Sequence, residues 1–388
     1  MKQAAIMEHR RPWIRFDRNE LSGAFGDFGT DFPLLVGLIL VADLDPTSVL
    51  VMFGGMQVLT GLAYGLPMPV QPLKAMAVIV IGQKVSGNIL YGGGIAIGIL
   101  MLLLALSGLL EWLGRVVPKS VVRGIQFGLG VQLASLALGD FVQADGWPGY
   151  ALAGASFLIT LALMGNRRFP PAPVVILLGL GYALATRMDG DMLAQGVALT
   201  LPQLHTPTPA DVWTGFLLLA LPQLPLSLGN SVLATRQVVT DFFPERKLSL
   251  RRIGLTYSLM NLLNPLFGGI PTCHGSSGVA GHYTFGGRTG GSVIIEGSVY
   301  MALGLFLSRG FHLAIELFPK PMLGVILLFE ALALMKLIAD VAPVKGDFVL
   351  VLLVGLICVG LPYGYVIGLL VGTALSHLAR GRFNPLAK

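Results

Sequence analysis

The sequence predicts an all-α polytopic membrane protein, and three observations carry that prediction. Of 388 residues, 54% are hydrophobic and only 12% are charged, against about 25% charged in an ordinary soluble domain. Apolar runs recur along the whole chain, among them 34–42, 97–110, 174–185, 212–221, 293–307, 325–337 and 349–359. Several lie within stretches close to the ~20 residues that cross hydrocarbon. The remaining basic residues gather in short loops and an N-terminal arm. A segment surrounded by lipid must satisfy its own backbone hydrogen bonds, so these runs are read as helices.

By length the chain divides into about fourteen segments, two of them too short to span alone. They fall near 20–42, 46–64, 69–84, 90–113, 119–138, 147–164 and 172–188, then 211–235, 250–268, 275–286, 291–308, 319–338, 346–360 and 362–379. The polar stretch Asp189 to Asp211, with Thr206-Pro207-Thr208-Pro209, reads as an exposed connection between two sets of seven. The expected domains are an N-terminal arm over 1–19, a first repeat over 20–188, a connection over 189–210, a second repeat over 211–379 and a tail over 380–388. No soluble domain is expected after the last segment.

Charge tests this division independently, because cytoplasmic loops are rich in Lys and Arg. With the N-terminus inside, the inner loops carry Arg115 and Lys119, Arg167 and Arg168, Arg236 to Arg252, Arg288, then Arg380 and Arg382, while the outer loops carry Asp43, Asp45, Asp140, Asp145, Asp189 and Asp191. Both termini are therefore expected in the cytoplasm, with the chain in the inner or plasma membrane. The net charge of +6 is spread over these loops, which favours membrane topology over a nucleic-acid partner. Cys273 and Cys358 lack metal-ligand spacing, as do His205, His312 and His377, so neither a metal nor a cofactor is expected. The basic N-terminus precedes a region containing Asp27, Asp31 and Pro33 without a clear cleavage site, and it reads as leading into a retained first helix.

Two places break the apolar pattern at corresponding positions of the two halves: Gly65-Leu66-Pro67-Met68-Pro69-Val70-Gln71-Pro72-Leu73-Lys74 and Gly269-Ile270-Pro271-Thr272-Cys273-His274-Gly275-Ser276-Ser277-Gly278. Both open with Gly, an aliphatic residue and Pro. Proline suits an extended stretch or a first helical turn but not a helix interior, so each is expected to be an extended stretch that becomes a half-helix near mid-membrane. Paired interruptions of this kind point to a binding site. A helix N-terminus presents unpaired N–H groups and the positive end of the backbone dipole, so two facing ends make an anion site. Gln71, Thr272, His274, Ser276 and Ser277 supply neutral donors, and these are expected to contact the substrate together with Pro72, Cys273 and Gly275 beside them and Gln223 of the eighth segment. Lys74 adds a positive charge, snorkels or pairs with an acid. The competing reading treats these glycines and prolines as kinks and close-packing positions.

The first segment contributes Asp27, Thr30 and Asp31. The two acids stand four apart and share a helical face, and an acid within a membrane segment is functional by default. They are expected to couple transport to a proton or to order the donors; Asp27 as a simple helix cap is the alternative. In the eighth segment Gln223, Ser227 and Asn230 fall at helical spacing and line the cavity or bond neighbouring helices. Glu296, Glu330 and Lys336 read as members of interhelical pairs.

At these motifs the chain resembles the molybdate transporter family related to SulP sulfate permeases. The resemblance rests on Phe25-Gly26-Asp27-Phe28-Gly29-Thr30 and on the long run from Pro271 to Gly290, and covers most of the chain. It implies the seven-plus-seven inverted repeat of the SulP and uracil-permease fold, with a core of segments one to four and eight to eleven moving against a gate of the other six. It implies a substrate held between the third and tenth half-helices, and a homodimer. Many SulP permeases end in a cytosolic STAS domain, and none is expected here. The expected activity is secondary active transport of a tetrahedral oxyanion, molybdate first. Sulfate, a broad proton-coupled symport of both, and cation transport by Asp27 and Asp31 are the alternatives. An enzyme using His274 with Cys273 or Ser276 is not expected, since adjacent residues do not make a nucleophile–base–orienter geometry.

Overall fold

A computed structural model describes residues 14–110, 112, 116–164, 171–186 and 198–381. The expectations for the N-terminal arm before residue 14, for Arg115, Arg167, Arg168, Asp189, Asp191 and Arg382, and for the side chain of Thr30, lie outside the described residues.

The first repeat runs α1 (Arg18–Ala24), α2 (Phe28–Ala42), α3 (Pro46–Tyr64), β1 (Val70–Pro72), α4 (Lys74–Gln83), α5 (Gly87–Ser107), α6 (Lys119–Leu136, ending in the π-helical turn Ala137–Phe141), α7 (Gly146–Leu163) and α8 (Pro171–Thr186). The second runs α9 (Pro209–Phe242), α10 (Leu250–Leu263), β2 (Thr272–His274), α11 (Ser276–Thr284), α12 (Gly291–Phe306), α13 (Ser308–Leu317), α14 (Lys320–Lys336), α15 (Lys345–Gly360) and α16 (Gly364–Gly381). Among the described residues, six helices are long and apolar enough to cross a membrane, including α3, α5, α7 and α9. The packing is that of an inverted repeat. α3 packs on α12 as α5 packs on α10, and α1 packs on α12 as the start of α9 packs on α5. In the gate, α6 packs on α15 as α14 packs on α7.

Three details differ from the sequence-based expectation. The first segment is two helices, broken at Phe25 to Asp27, because Gly26 meets the backbone of Gly281 and His282 so closely that a Cβ there would overlap it. The eighth segment is longer than 211–235, continuing to Phe242 with π-helical stretches at Phe216–Ala220 and Ser227–Ala234. Pro225 withholds a backbone donor inside this helix, and local π-turns are one way such a helix re-satisfies the freed backbone groups. Where a loop was expected after α12, the chain forms α13.

The two half-helices are built alike. Gly65 (φ 60°) ends α3, and Gly268 (φ 69°) ends the 3₁₀ turn after α10, conformations that favour glycine. The following prolines keep each chain extended until β1 and β2 pair antiparallel, with Gln71 opposite Cys273. An amide side chain from the preceding helix clamps each strand. Gln57 Nε2 donates to Val70 O (3.0 Å) while its Oε1 accepts from Val70 N (2.8 Å). Asn261 does the same for Thr272, at 2.6 and 2.9 Å. Bonded in this way, extended backbone is tolerated at membrane depth.

Candidate anion site

Because the strands are antiparallel, α4 and α11 leave them in opposite directions and both N-termini face the middle of the core. A cavity of about 400 Å³ opens there, between the half-helices, α9 and the gate helices α6 and α14. Gln71, Lys74, Gln223, Asn230, Cys273, Gly275, Ser276 and Ser277 line it from the core, and Arg123, Gln126 and Glu330 from the gate. No carboxylate among the described residues pairs with Lys74 within 4.0 Å, so its alternative role as half of an ion pair is not what the structure shows.

Strand geometry separates the expected contacts. Successive side chains point to opposite faces, so Gln71 and Cys273 face the cavity while Pro72, Thr272 and His274 face away. Thr272 Oγ1 accepts from Asn264 Nδ2 (3.1 Å). His274 Nε2 bonds Thr256 Oγ1 (2.8 Å), and its ring packs edge-on against Tyr64. Thr272, His274 and Pro72 therefore support the strands and do not touch the cavity, contrary to the expectation that they contact substrate.

The two helix ends differ. Gln223 Oε1 accepts from Ala75 N (2.9 Å) and Met76 N (3.3 Å), capping α4, and its Nε2 donates to Ser227 Oγ (3.0 Å), itself bonded to Tyr257 (2.7 Å). At α11 the cap is Gly275, which supplies no side-chain acceptor. The first-turn amides of Ser276, Ser277 and Gly278 have no intrahelical acceptor.

Behind this end lie buried acids. Asp27 is the cap residue of α2 but makes no capping bond; its Oδ2 accepts from Gln71 Nε2 at 2.6 Å. Asp31 is fully buried, and neither carboxylate oxygen has a hydrogen-bond partner among the described residues. Glu296 meets His282 Nε2 (3.2 Å) and Gln57 Nε2 (3.3 Å), an interhelical pair of the kind expected. Glu330 instead lines the cavity, and Lys336 is exposed. Glu20, buried, accepts from the amides of Arg288, Thr289 and Ser292 at the start of α12.

Sequence reasoning missed Gln57, Asn261 and Arg123. The first two carried a signal, an amide in mid-helix shortly before each Gly/Pro break. Arg123 carried none, since it sits in a helix expected to belong to the gate. It donates to Asp340 and to Gln126 Oε1 (2.8 Å). A second cleft, of about 250 Å³ and lined by residues such as Phe32, Val36, Leu180, Phe311 and Phe318, offers no polar group to orient an anion.

The model of a family described as "Molybdate transporter of MFS superfamily" matches residues 19–133 and 215–334, which contain both half-helices and the acids behind them. Molybdate transporter 1 of Arabidopsis thaliana is 31% identical over 94% of this chain and 90% of its own length. The chain belongs to the molybdate transporter family. Molybdate transporter 2 of the same plant is 30% identical over 86% of this chain and 81% of its own. Molybdate transporter 1 of Chlamydomonas reinhardtii is 26% identical over 94% and 92%.

Solved structures show the same fold at low identity. The murine Solute Carrier 26 family member A9 anion transporter, in its inward-facing state, superposes with a TM-score of 0.73 at 13% identity, over 97% of this chain and 70% of that one. The transmembrane domain of the cyanobacterium bicarbonate transporter BicA superposes with a TM-score of 0.67 at 18% identity, over 88% and 97%. An antiparallel pair of repeats carrying two half-helices is this architecture; MFS transporters instead repeat two six-helix halves in parallel. Membership of the family makes the chain a multi-pass membrane transporter and not an enzyme, and the catalytic reading of His274 with Cys273 or Ser276 ends there.

Proposed function

We propose that this chain is a secondary active transporter of a tetrahedral oxyanion, with molybdate as its substrate. The observation that carries the reading is the uncapped N-terminus of α11 facing the polar cavity across from Lys74. Backbone N–H groups there match an oxyanion without a dedicated arginine. Ser276 and Ser277 add hydroxyls, Gly275 and Cys273 give close approach, and Gln71 and Gln223 border the cavity. The relatives of Arabidopsis and Chlamydomonas, which are molybdate transporters, support molybdate over sulfate.

The cavity lies between core and gate, so the core helices α1 to α5 and α9 to α12 carry the anion past α6 to α8 and α14 to α16. The repeats over 20–188 and 211–379, a cytoplasmic location for both termini and an inner or plasma membrane follow from the loop charges. On that topology the cavity lies toward the cytoplasm, since Arg123, Ala234 and Leu337, which line it, come from the cytoplasmic halves of α6 and α9 and the cytoplasmic end of α14. Protons are the proposed coupling ion, with Asp27 and Asp31 as carriers, and a homodimer follows the fold resemblance.

Uptake of labelled molybdate into proteoliposomes tests the reading, with excess sulfate as competitor and an imposed pH gradient. Uptake that resists sulfate and rises with the gradient is expected. A protein that moves neither anion would contradict it.

A further inference from the structure

We propose that Asp27 and Gln71 form a proton-operated switch in the anion site: protonation of Asp27 lets the Gln71 carboxamide turn over and offer its NH₂ group to the bound oxyanion. The proposal rests on the oxyanion reading above and adds the device by which a proton acts on that site.

Gln71 is buried at the centre of β1, on the cavity side. Its Nε2 donates to Asp27 Oδ2 at 2.6 Å and to Ser277 Oγ at 3.3 Å, and the Ser277 hydroxyl also lies 3.5 Å from its Oε1, within reach of either end of the carboxamide. Its Oε1 therefore faces Gly275, the cap of α11, so closely that a Cβ on Gly275 would overlap it. In this orientation the cavity wall presents a carbonyl oxygen beside the amides that should receive an anion. An acceptor in that place repels an oxyanion.

Asp27 imposes the orientation, because an ionised carboxylate can only accept hydrogen bonds. A protonated carboxyl donates one. It can hold Gln71 Oε1, and the carboxamide, whose O and N ends are nearly equal in size, turns without repacking its neighbours. The same proton removes a negative charge from the first turn of α11, where Asp27 Oδ2 packs against Gly278 so tightly that a Cβ would overlap it. Proton and anion then each favour the other's binding, and by linkage the effect is reciprocal. The charged and titratable groups acting on Asp27 are Lys74 on α4, His282 on α11, Asp31 on α2, Glu296 and Tyr300 on α12, Glu330 on α14 and Cys273 on β2. Of these acids, Asp27 is the one that hydrogen-bonds a cavity carboxamide among the described residues.

The test measures molybdate affinity of the purified full chain by calorimetry, from mildly acidic to mildly alkaline pH. In the wild type Kd is expected to weaken with rising pH, by up to about tenfold per unit once Asp27 ionises. Asp27→Asn, a permanently neutral partner able to donate to Gln71, is expected to lose that slope and to bind more tightly than wild type at the alkaline end. Infrared difference spectra on adding molybdate are expected to show a new protonated-carboxyl band in the wild type, absent from Asp27→Asn. A flat pH profile in the wild type, a wild-type slope in Asp27→Asn, or no carboxyl band would overturn the switch. If the variant does not fold, the wild-type slope and band decide the matter alone. A wild type that binds no molybdate at any pH would overturn the oxyanion reading and the switch with it.

Discussion

α4 and α11 are each fed by a three-residue strand that a mid-helix amide clamps, Gln57 in one repeat and Asn261 in the other, yet their first turns meet different surroundings. At α4 the carboxamide of Gln223 occupies two amides. At α11 the corresponding amides are uncapped and an acid, Asp27, packs behind them. The repeats are thus symmetric in scaffold and asymmetric in chemistry. The scaffold needs both half-helices, because either strand alone would leave backbone groups unpaired inside the membrane. On the proposed reading the anion needs only one uncapped end and a positive charge, and Lys74 would supply that charge from the capped side.

The comparison breaks most severely if the α11 end is spoiled. Ser276→Asp places a fixed negative charge against an incoming dianion. At ~4 Å and an effective dielectric near 20 this costs ~4 kcal/mol for each unit of charge, so uptake is expected to fall at least about 100-fold. Normal uptake by this variant would remove α11 from the site. Gly275→Ala acts next. Its Cβ collides with the Gln71 carboxamide, and molybdate affinity by calorimetry is expected to drop by about tenfold, or ~1.4 kcal/mol.

Gln223→Leu sharpens the comparison from the other side. It strips the cap from α4 and leaves two buried amides unpaired, expected to cost ~1–3 kcal/mol of stability in thermal unfolding, while affinity changes by less than about threefold. If α4 were the main anion seat, removing this internal competitor would tighten binding instead. Thr272→Val should be the mildest of the set, within about twofold in affinity, because its hydroxyl faces Asn264 behind the strand and not the cavity.

Much of this is legible in the sequence. Apolar runs and loop charges gave the helices, and the Gly-aliphatic-Pro pairs located both half-helices, because proline and glycine restrict backbone whatever surrounds them. The facing of individual strand residues was not legible. Thr272, Cys273 and His274 are consecutive polar or small residues, and three residues carry too little alternation to choose a face; pairing with β1 chooses it. Gln57 and Asn261 were hidden for a different reason, since an amide in an apolar helix reads the same whether it bonds a strand or a neighbouring helix. Asp27 was legible as a buried acid but not as the partner of Gln71, a contact across 44 residues that only the break between α1 and α2 allows.

The central claim is that the oxyanion sits at the uncapped end of α11. Crystals grown with molybdate, measured at the molybdenum absorption edge, locate the metal by its anomalous signal alone. The account predicts one peak per chain within hydrogen-bonding reach of the Ser276 and Ser277 amides, across the cavity from Lys74. A peak at Ala75 and Met76, with Gln223 displaced, or a peak outside this cavity altogether, would contradict it.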